Sequence, residues 1–178
     1  MQIKTVFAGF GGQGVLMMGY SLAHAAMNEG LHVTYLPSYG AEVRGGTANC
    51  TVAVSDEEIA SPVASQPDFI VAMNGPSLMA FQTRIAPGGA FFLNSSIIEG
   101  RPNRADVSLF EIPAAAIASD LGSPRVQNVV MMGAYVKATR LVSADTYLKS
   151  LKSILGGRKK AAMEINRKAF AAGYDYID

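Results

Sequence analysis

Cysteine is the scarcest chemistry-bearing residue in this sequence: there is one, Cys50, among 178 residues. That excludes an internal disulfide, and a cluster that needs four thiolates cannot be held by this chain alone. Tryptophan is absent, and the two histidines, His24 and His32, fall on separate predicted elements with no metal-ligand spacing to Cys50. No metal site is expected. Charge is scarce too, at 16% against roughly 25% in an ordinary soluble domain. Fifteen Lys and Arg nearly cancel fourteen Asp and Glu, so a net charge of +1 gives no broad field for nucleic acid or an anionic membrane. Long apolar runs are missing as well. The best candidate, Val15 to Met27, is interrupted by Gly19, Ser21 and His24 and followed by Asn28. The opening MQIKTVFAG runs straight into a strand pattern without the order of a signal peptide, so a cytoplasmic location is expected.

What the chain does have is apolar content, 49% with nine methionines, and a length that suits one domain. Such a chain buries roughly 70% of the surface its unfolded form exposes. Low charge and abundant Met imply that some apolar surface meets another chain, and that the isolated protein can pair with itself.

The first half reads as alternating strands and helices, the pattern of a three-layer α/β/α sandwich around a mostly parallel, Rossmann-like sheet, in a single domain over 1–178. The strand patterns are IKTVFAG (3–9), HVTYLP (32–37), TANCTVAV (47–54), DFIVAMN (68–74), GAFFLNSS (89–96) and VSLFEIP (107–113). A helix apolar on nearly every side runs from about Gly12 to Asn28, with Gly30 as its C-terminal cap. A helix opens at Gly75-Pro76-Ser77 and closes near Pro87-Gly88-Gly89. The last third is helical: VQNVVMMGAYVKATRLV (126–142), then an amphipathic helix capped by Ser143 and ending at Gly156-Gly157. A final helix spans 158–173, with Ala161, Ala162, Ile165, Ala169 and Ala172 as its inner stripe and a basic, solvated outer face. In the third strand Ala48, Cys50, Val52 and Val54 share a face, which puts the thiol in the core.

Between the first strand and the first helix stands AGFGGQGVLMMG (8–19), in which Gly9-x-Gly11-x-x-Gly14 has the spacing that lets backbone approach a pyrophosphate. A dinucleotide site also needs an Asp or Glu about 20 residues further on; Thr34-Tyr35-Leu36-Pro37 holds none. A phosphate loop of the Walker type needs Lys-Ser/Thr after its last glycine, and Val15-Leu16 stand there. Two readings stay open: close strand–helix packing, or contact of Gly9, Gly11, Gly12 and Gly14 with an anion. Gln13 stands at the helix start, where its amide can meet a phosphate or a partner's backbone.

SYGAEVRGG (38–46) is the second informative stretch, a polar loop beyond a strand end, where open α/β sheets place their sites. Arg44, followed by Gly45 and Gly46, has the reach to grip a phosphate or carboxylate, or else pairs locally with Glu42 on the surface. Nowhere is there an obvious general acid and base pair, and no catalytic residue is expected.

Taken together, GFGGQGV (9–15), YGAEVRGGTANC (39–50) and GSPRVQNVVMMGA (122–134) resemble the gamma subunit, or gamma domain, of 2-oxoacid:ferredoxin oxidoreductases over nearly the whole chain. YGAEVRGG is more specific than the glycines, and Arg125-x-x-Asn128 with Gly133-Ala134 supports it independently. A separate short chain of this kind is most similar to those of 2-oxoglutarate enzymes. The resemblance implies a complex that decarboxylates a 2-oxoacid on thiamine diphosphate with Mg, passes two electrons through a 4Fe–4S cluster to ferredoxin, and yields an acyl-CoA. Thiamine diphosphate and the cluster then belong to alpha and beta partners, with a delta chain in some assemblies. This chain is expected to bind no redox group and to line the approach of coenzyme A with its glycine turn and Arg44 loop. The competing readings are a stand-alone nucleotide-dependent oxidoreductase and a non-catalytic phosphate- or nucleotide-binding module.

Overall fold

The computed structural model describes residues 1–39, 46–156 and 160–177. Six strands appear where the patterns place them: β1 Gln2–Phe10, β2 His32–Tyr39, β3 Thr47–Ser55, β4 Phe69–Ala72, β5 Ala90–Asn94 and β6 Ser108–Ile112. The helices are α1 Val15–Asn28, α2 Gly75–Phe81, α3 Ala114–Asp120, α4 Gln127–Thr139, α5 Ala144–Ile154 and α6 Lys160–Tyr176. One sheet joins all strands in the order β2-β3-β1-β4-β5-β6. β1, β4, β5 and β6 pair in parallel, while β3 is antiparallel to both β1 and β2.

The antiparallel β2–β3 connection departs from the strand–helix alternation expected of the first half. Residues 40–46 are too few for a parallel crossover, which takes about a dozen, so the chain returns on itself. Among the described residues no helix is long and apolar enough to cross a membrane.

Alternation within strands splits the core in two. Phe7, Val71 and Phe92 face α1 and α3–α6, whereas Val6, Ala8, Ile70, Ala72, Phe91 and Leu93 face Leu78 of α2 together with Ile85 and Ile98. The layers are therefore unequal: five helices on one face, and α2 with irregular chain on the other. Tyr135 of α4 stands at the centre of the thicker layer, with Phe7, Phe69 and Phe92 around its ring. Its hydroxyl shares a 2.6 Å hydrogen bond with Thr5 of β1, and burial pushes its pKa up. Ser143 caps α5 by accepting from the Thr146 amide. Gly30 ends α1, with Leu31 N donating to Ala26 O at 3.1 Å.

Three expectations need correction. α1 is not enclosed on all sides: Tyr20 and Met27 lie 47% and 64% exposed on its outer stripe. α2 stops at Phe81, short of the close expected near Pro87-Gly88-Gly89, and turns carry the chain on to β5. The inner stripe of α6 contains Phe170 and Gly173 with Ala169, and Ala161 is exposed. The helix runs past Gly173 because that glycine lies against Val130 of α4 and not at a helix end.

Cys50 is fully buried, as the face it shares with Ala48, Val52 and Val54 implies, and its thiol contacts Val15 O at 3.7 Å. Desolvation pushes the thiol pKa up to about 12. The folded state holds the proton more tightly, so this contribution to stability is complete below the unfolded thiol range and is lost between about pH 9 and 12. A thiol reagent at pH 8 is expected to label one equivalent in denaturant and almost none in the native chain. Rapid native labelling contradicts this burial.

Candidate functional site

The parallel strands β1, β4 and β5 end on one edge of the sheet, and the glycine turn lies there. α1 covers one face and α2 the other, so the gap between β1 and β4 is the point where an open α/β sheet divides. Gly9 is still in β1, opposite Ala48. A Cβ on Gly9 would stand 2.7 Å from Gln13 Oε1 and 3.0 Å from Met73 Cβ, so a larger residue would drive the turn away from the strand ends. Gly11 N donates to Gly46 O at 3.0 Å, which joins the turn to the residue before β3; Ser38 and Tyr39, expected in a loop, belong to β2. Gly12 is exposed at the tip of the turn. Gly14 is the N-cap of α1 at φ 75°, a left-handed conformation that glycine adopts without steric cost. Glu42, Arg44 and Gly45 lie outside the described residues.

Gln13 is folded inward. Its Oε1 accepts from Phe10 N at 2.7 Å and from Asn74 Nδ2 at 3.0 Å, and its Nε2 donates to Met73 O at 3.1 Å. The carboxamide thus fills the gap between β1 and β4. Asn74 is 2% exposed and accepts from Ser77 N at 2.9 Å, so one side chain caps α2 and holds Gln13. Asn94, at the end of β5, donates to Gln127 Oε1 at 3.2 Å and accepts from Ala115 N at 3.3 Å. Asn128 packs beside Gly14, its Nδ2 3.5 Å from Gly14 O.

The sequence motifs do not single out Asn74, Asn94 or Gln127, and they include Asn128 only as a motif position. A usable signal is present in Asn74-Gly-Pro and Asn94-Ser-Ser, where an amide closes the apolar run of each strand pattern, a place where Asn side chains cap the next helix or turn.

This edge carries five carboxamides, and no residue of Gly9–Gly14, Met73–Ser77, Asn94 or Gln127–Asn128 is charged. α1 begins with neither a side-chain cap nor an acidic residue in its first turn, so its leading amides keep the positive end of the helix dipole unopposed. Beside the turn a cleft of about 170 Å³ is lined by Gly9, Thr47, Asn49, Pro76, Ser77 and Phe81 among others. The arrangement suits an elongated anion that also brings an apolar or amide portion. Its described residues include no carboxylate, histidine or exposed thiol from which an acid–base pair could be made. Among the described residues no three His, Cys, Asp or Glu side chains gather as metal ligands, and the lone buried Cys50 does not fit a cluster.

A family model described as pyruvate ferredoxin/flavodoxin oxidoreductase matches residues 4–176. The ketoisovalerate oxidoreductase subunit VorA of Methanothermobacter thermautotrophicus is 37% identical over 98% of this chain, which spans only 36% of that relative's length. The 2-oxoglutarate synthase subunit KorC of Methanothermobacter marburgensis is 34% identical, with 99% of this chain and 97% of the relative aligned. Among solved structures, a keto/oxoacid ferredoxin oxidoreductase gamma subunit from Geobacter sulfurreducens matches at 28% identity and TM-score 0.81, covering 97% of this chain and 96% of its own. A 2-oxoglutarate:ferredoxin oxidoreductase from Magnetococcus marinus, with 2-oxoglutarate, coenzyme A and succinyl-CoA bound, matches at 26% identity and TM-score 0.91. It covers 99% of this chain, which corresponds to 32% of that polypeptide.

Proposed function

The chain belongs to the pyruvate ferredoxin/flavodoxin oxidoreductase family, and from that premise we propose that it is the gamma component of a 2-oxoacid:ferredoxin oxidoreductase. The complex would convert a 2-oxoacid and coenzyme A to an acyl-CoA and carbon dioxide, delivering two electrons to ferredoxin. Thiamine diphosphate, Mg and the 4Fe–4S cluster would be carried by alpha and beta partners; a chain with one cysteine cannot by itself supply the four thiolates of such a cluster. Exposed Tyr20 and Met27 on α1, with Leu36 and Tyr39 on the neighbouring edge strand β2, support docking to such partners. The same apolar residues support self-pairing of the isolated chain.

2-Oxoglutarate is the substrate we favour, because KorC aligns with this chain along nearly its whole length at 34% identity, against 31% for an equally full-length pyruvate synthase subunit PorC. Ferredoxin reduction by the assembled enzyme with 2-oxoglutarate, pyruvate and 2-oxoisovalerate in turn checks it. A dominant rate with 2-oxoisovalerate overturns the choice.

Within the complex, the glycine turn and the Arg44 loop line the coenzyme A approach. The observation that carries this reading is an edge of uncharged carboxamides beside an uncapped, dipole-exposed helix start. Arg44→Ala in the assembled enzyme is expected to raise KM for coenzyme A about tenfold with kcat within about twofold, the loss of one charge-assisted phosphate contact. An unchanged KM overturns that role. The alternative, a stand-alone phosphate- or nucleotide-binding module, predicts tight binding of simple anions or NAD to the chain alone, which calorimetry measures.

A further inference from the structure

Gln13 stands where its amide could be presented to a ligand, yet both polar atoms of that amide are spent inside the chain. Oε1 takes Phe10 N and Asn74 Nδ2, and Nε2 gives to Met73 O. Those contacts tie three separate pieces together: the end of β1, the segment after β4 and the start of α2, which Asn74 caps through Ser77 N. The turn itself has few other anchors. Its described main-chain bonds are Gln13 N to Phe10 O, Gly11 N to Gly46 O and Met18 N to Gly14 O, and Gly12 is exposed in a left-handed conformation.

We infer that Gln13 and Asn74 form a positioning latch, which sets where the turn's free amides stand and closes the β1–β4 gap to any ligand. The inference rests on the proposed coenzyme A approach for its purpose, but not for its existence. A ligand at this edge is confined to the outer side of the turn, toward the cleft beside Pro76 and Phe81. Asn74 is the more exacting partner. Its Oδ1 is committed to the α2 cap, so only Nδ2 remains for Gln13, and the amide orientation of each side chain fixes that of the other. Aspartate at position 74 keeps the cap and removes the donor, which separates latch from cap.

Three full-length variants test this: Gln13→Ala, Asn74→Asp and the double variant. Hydrogen exchange is read over residues 10–15 of the full chain, and coenzyme A kinetics in the assembled enzyme. Each single variant is expected to speed exchange of the turn amides about tenfold while the strand cores keep their protection, because a buried bond set is lost locally. The double variant should add little to either single one, the signature of a shared contact. In the enzyme, KM for coenzyme A should rise about tenfold with kcat within about twofold. Unchanged exchange in the turn, or additive effects in the double variant, overturns the latch whatever the kinetics do. Faster, non-additive exchange with an unchanged KM upholds the latch and counts instead against the coenzyme A reading.

Discussion

Gly173→Ala is expected to cost about 3 kcal/mol or more, enough to lower the melting temperature by roughly 10 °C in a domain of this size. A Cβ at Gly173 would stand inside van der Waals contact of the Val130 carbonyl, and one at Gly133 would do the same to the Phe170 carbonyl. The overlaps are reciprocal, helix backbone against helix backbone, so no side chain can swing aside; α4 and α6 must separate. Separation loosens Ala169 and Phe170, which close the thicker core layer over α4, Phe170 also stacking on Tyr147. With total stability on the order of 5–15 kcal/mol, this single methyl removes a large share. Gly133→Ala should behave alike, and the double variant should cost much less than the sum because the first methyl has already parted the helices. Gly100→Ala is the control: its Cβ meets nothing within 4 Å, and a change under about 0.5 kcal/mol is expected. Urea unfolding of these variants beside the wild-type chain measures all of this, and a Gly173→Ala midpoint equal to wild type contradicts the close crossing.

Gly14→Ala is the second large effect, and it divides between stability and function. At φ 75° a residue with a Cβ pays about 1–2 kcal/mol for the left-handed conformation, and that Cβ would overlap the Asn128 carboxamide. Here a side chain can give way, so the chain is expected to fold, weaker by about 2 kcal/mol, with the turn displaced from its place over the strand ends. In the assembled enzyme the KM for coenzyme A should rise more than about tenfold, the largest change of any turn substitution, because every amide of the turn moves together. Adding Asn128→Ala removes the overlap and not the strain. Recovery of roughly half the lost stability in the pair assigns the two causes, and no recovery contradicts the packing of Asn128 on Gly14.

The strands are legible in the sequence because burial imposes a period of two. The face shared by Ala48, Cys50, Val52 and Val54 is the buried one, and each strand pattern overlaps an observed strand. The direction of β3 is legible in the shortness of the 40–46 connection and in the alternation of TANCTVAV, which antiparallel strands show and buried parallel strands lack. Gly173 misleads for a physical reason. Glycine near the end of an amphipathic run has the same appearance in sequence whether it caps the helix or lets another backbone approach, and only α4 distinguishes the two. The site is half legible. Spacing places the glycines at a strand–helix turn, and the missing carboxylate argues against a dinucleotide. The inward fold of Gln13 depends on Asn74, 61 residues away, and no local rule reports such a partner. The family shows in motif residues and not in the fold, since a mostly parallel sheet hosts many chemistries.

The central proposal is that this chain carries no redox chemistry of its own and completes an enzyme whose electron-carrying groups lie in other subunits. The most direct measurement is 2-oxoacid- and coenzyme A-dependent ferredoxin reduction by the full chain alone, by the partner subunits alone, and by the two recombined. No turnover by the colourless chain, little by the partners, and restoration on mixing is the predicted result. A chain that reduces ferredoxin unaided, or partners that reach full rate without it, contradicts the account.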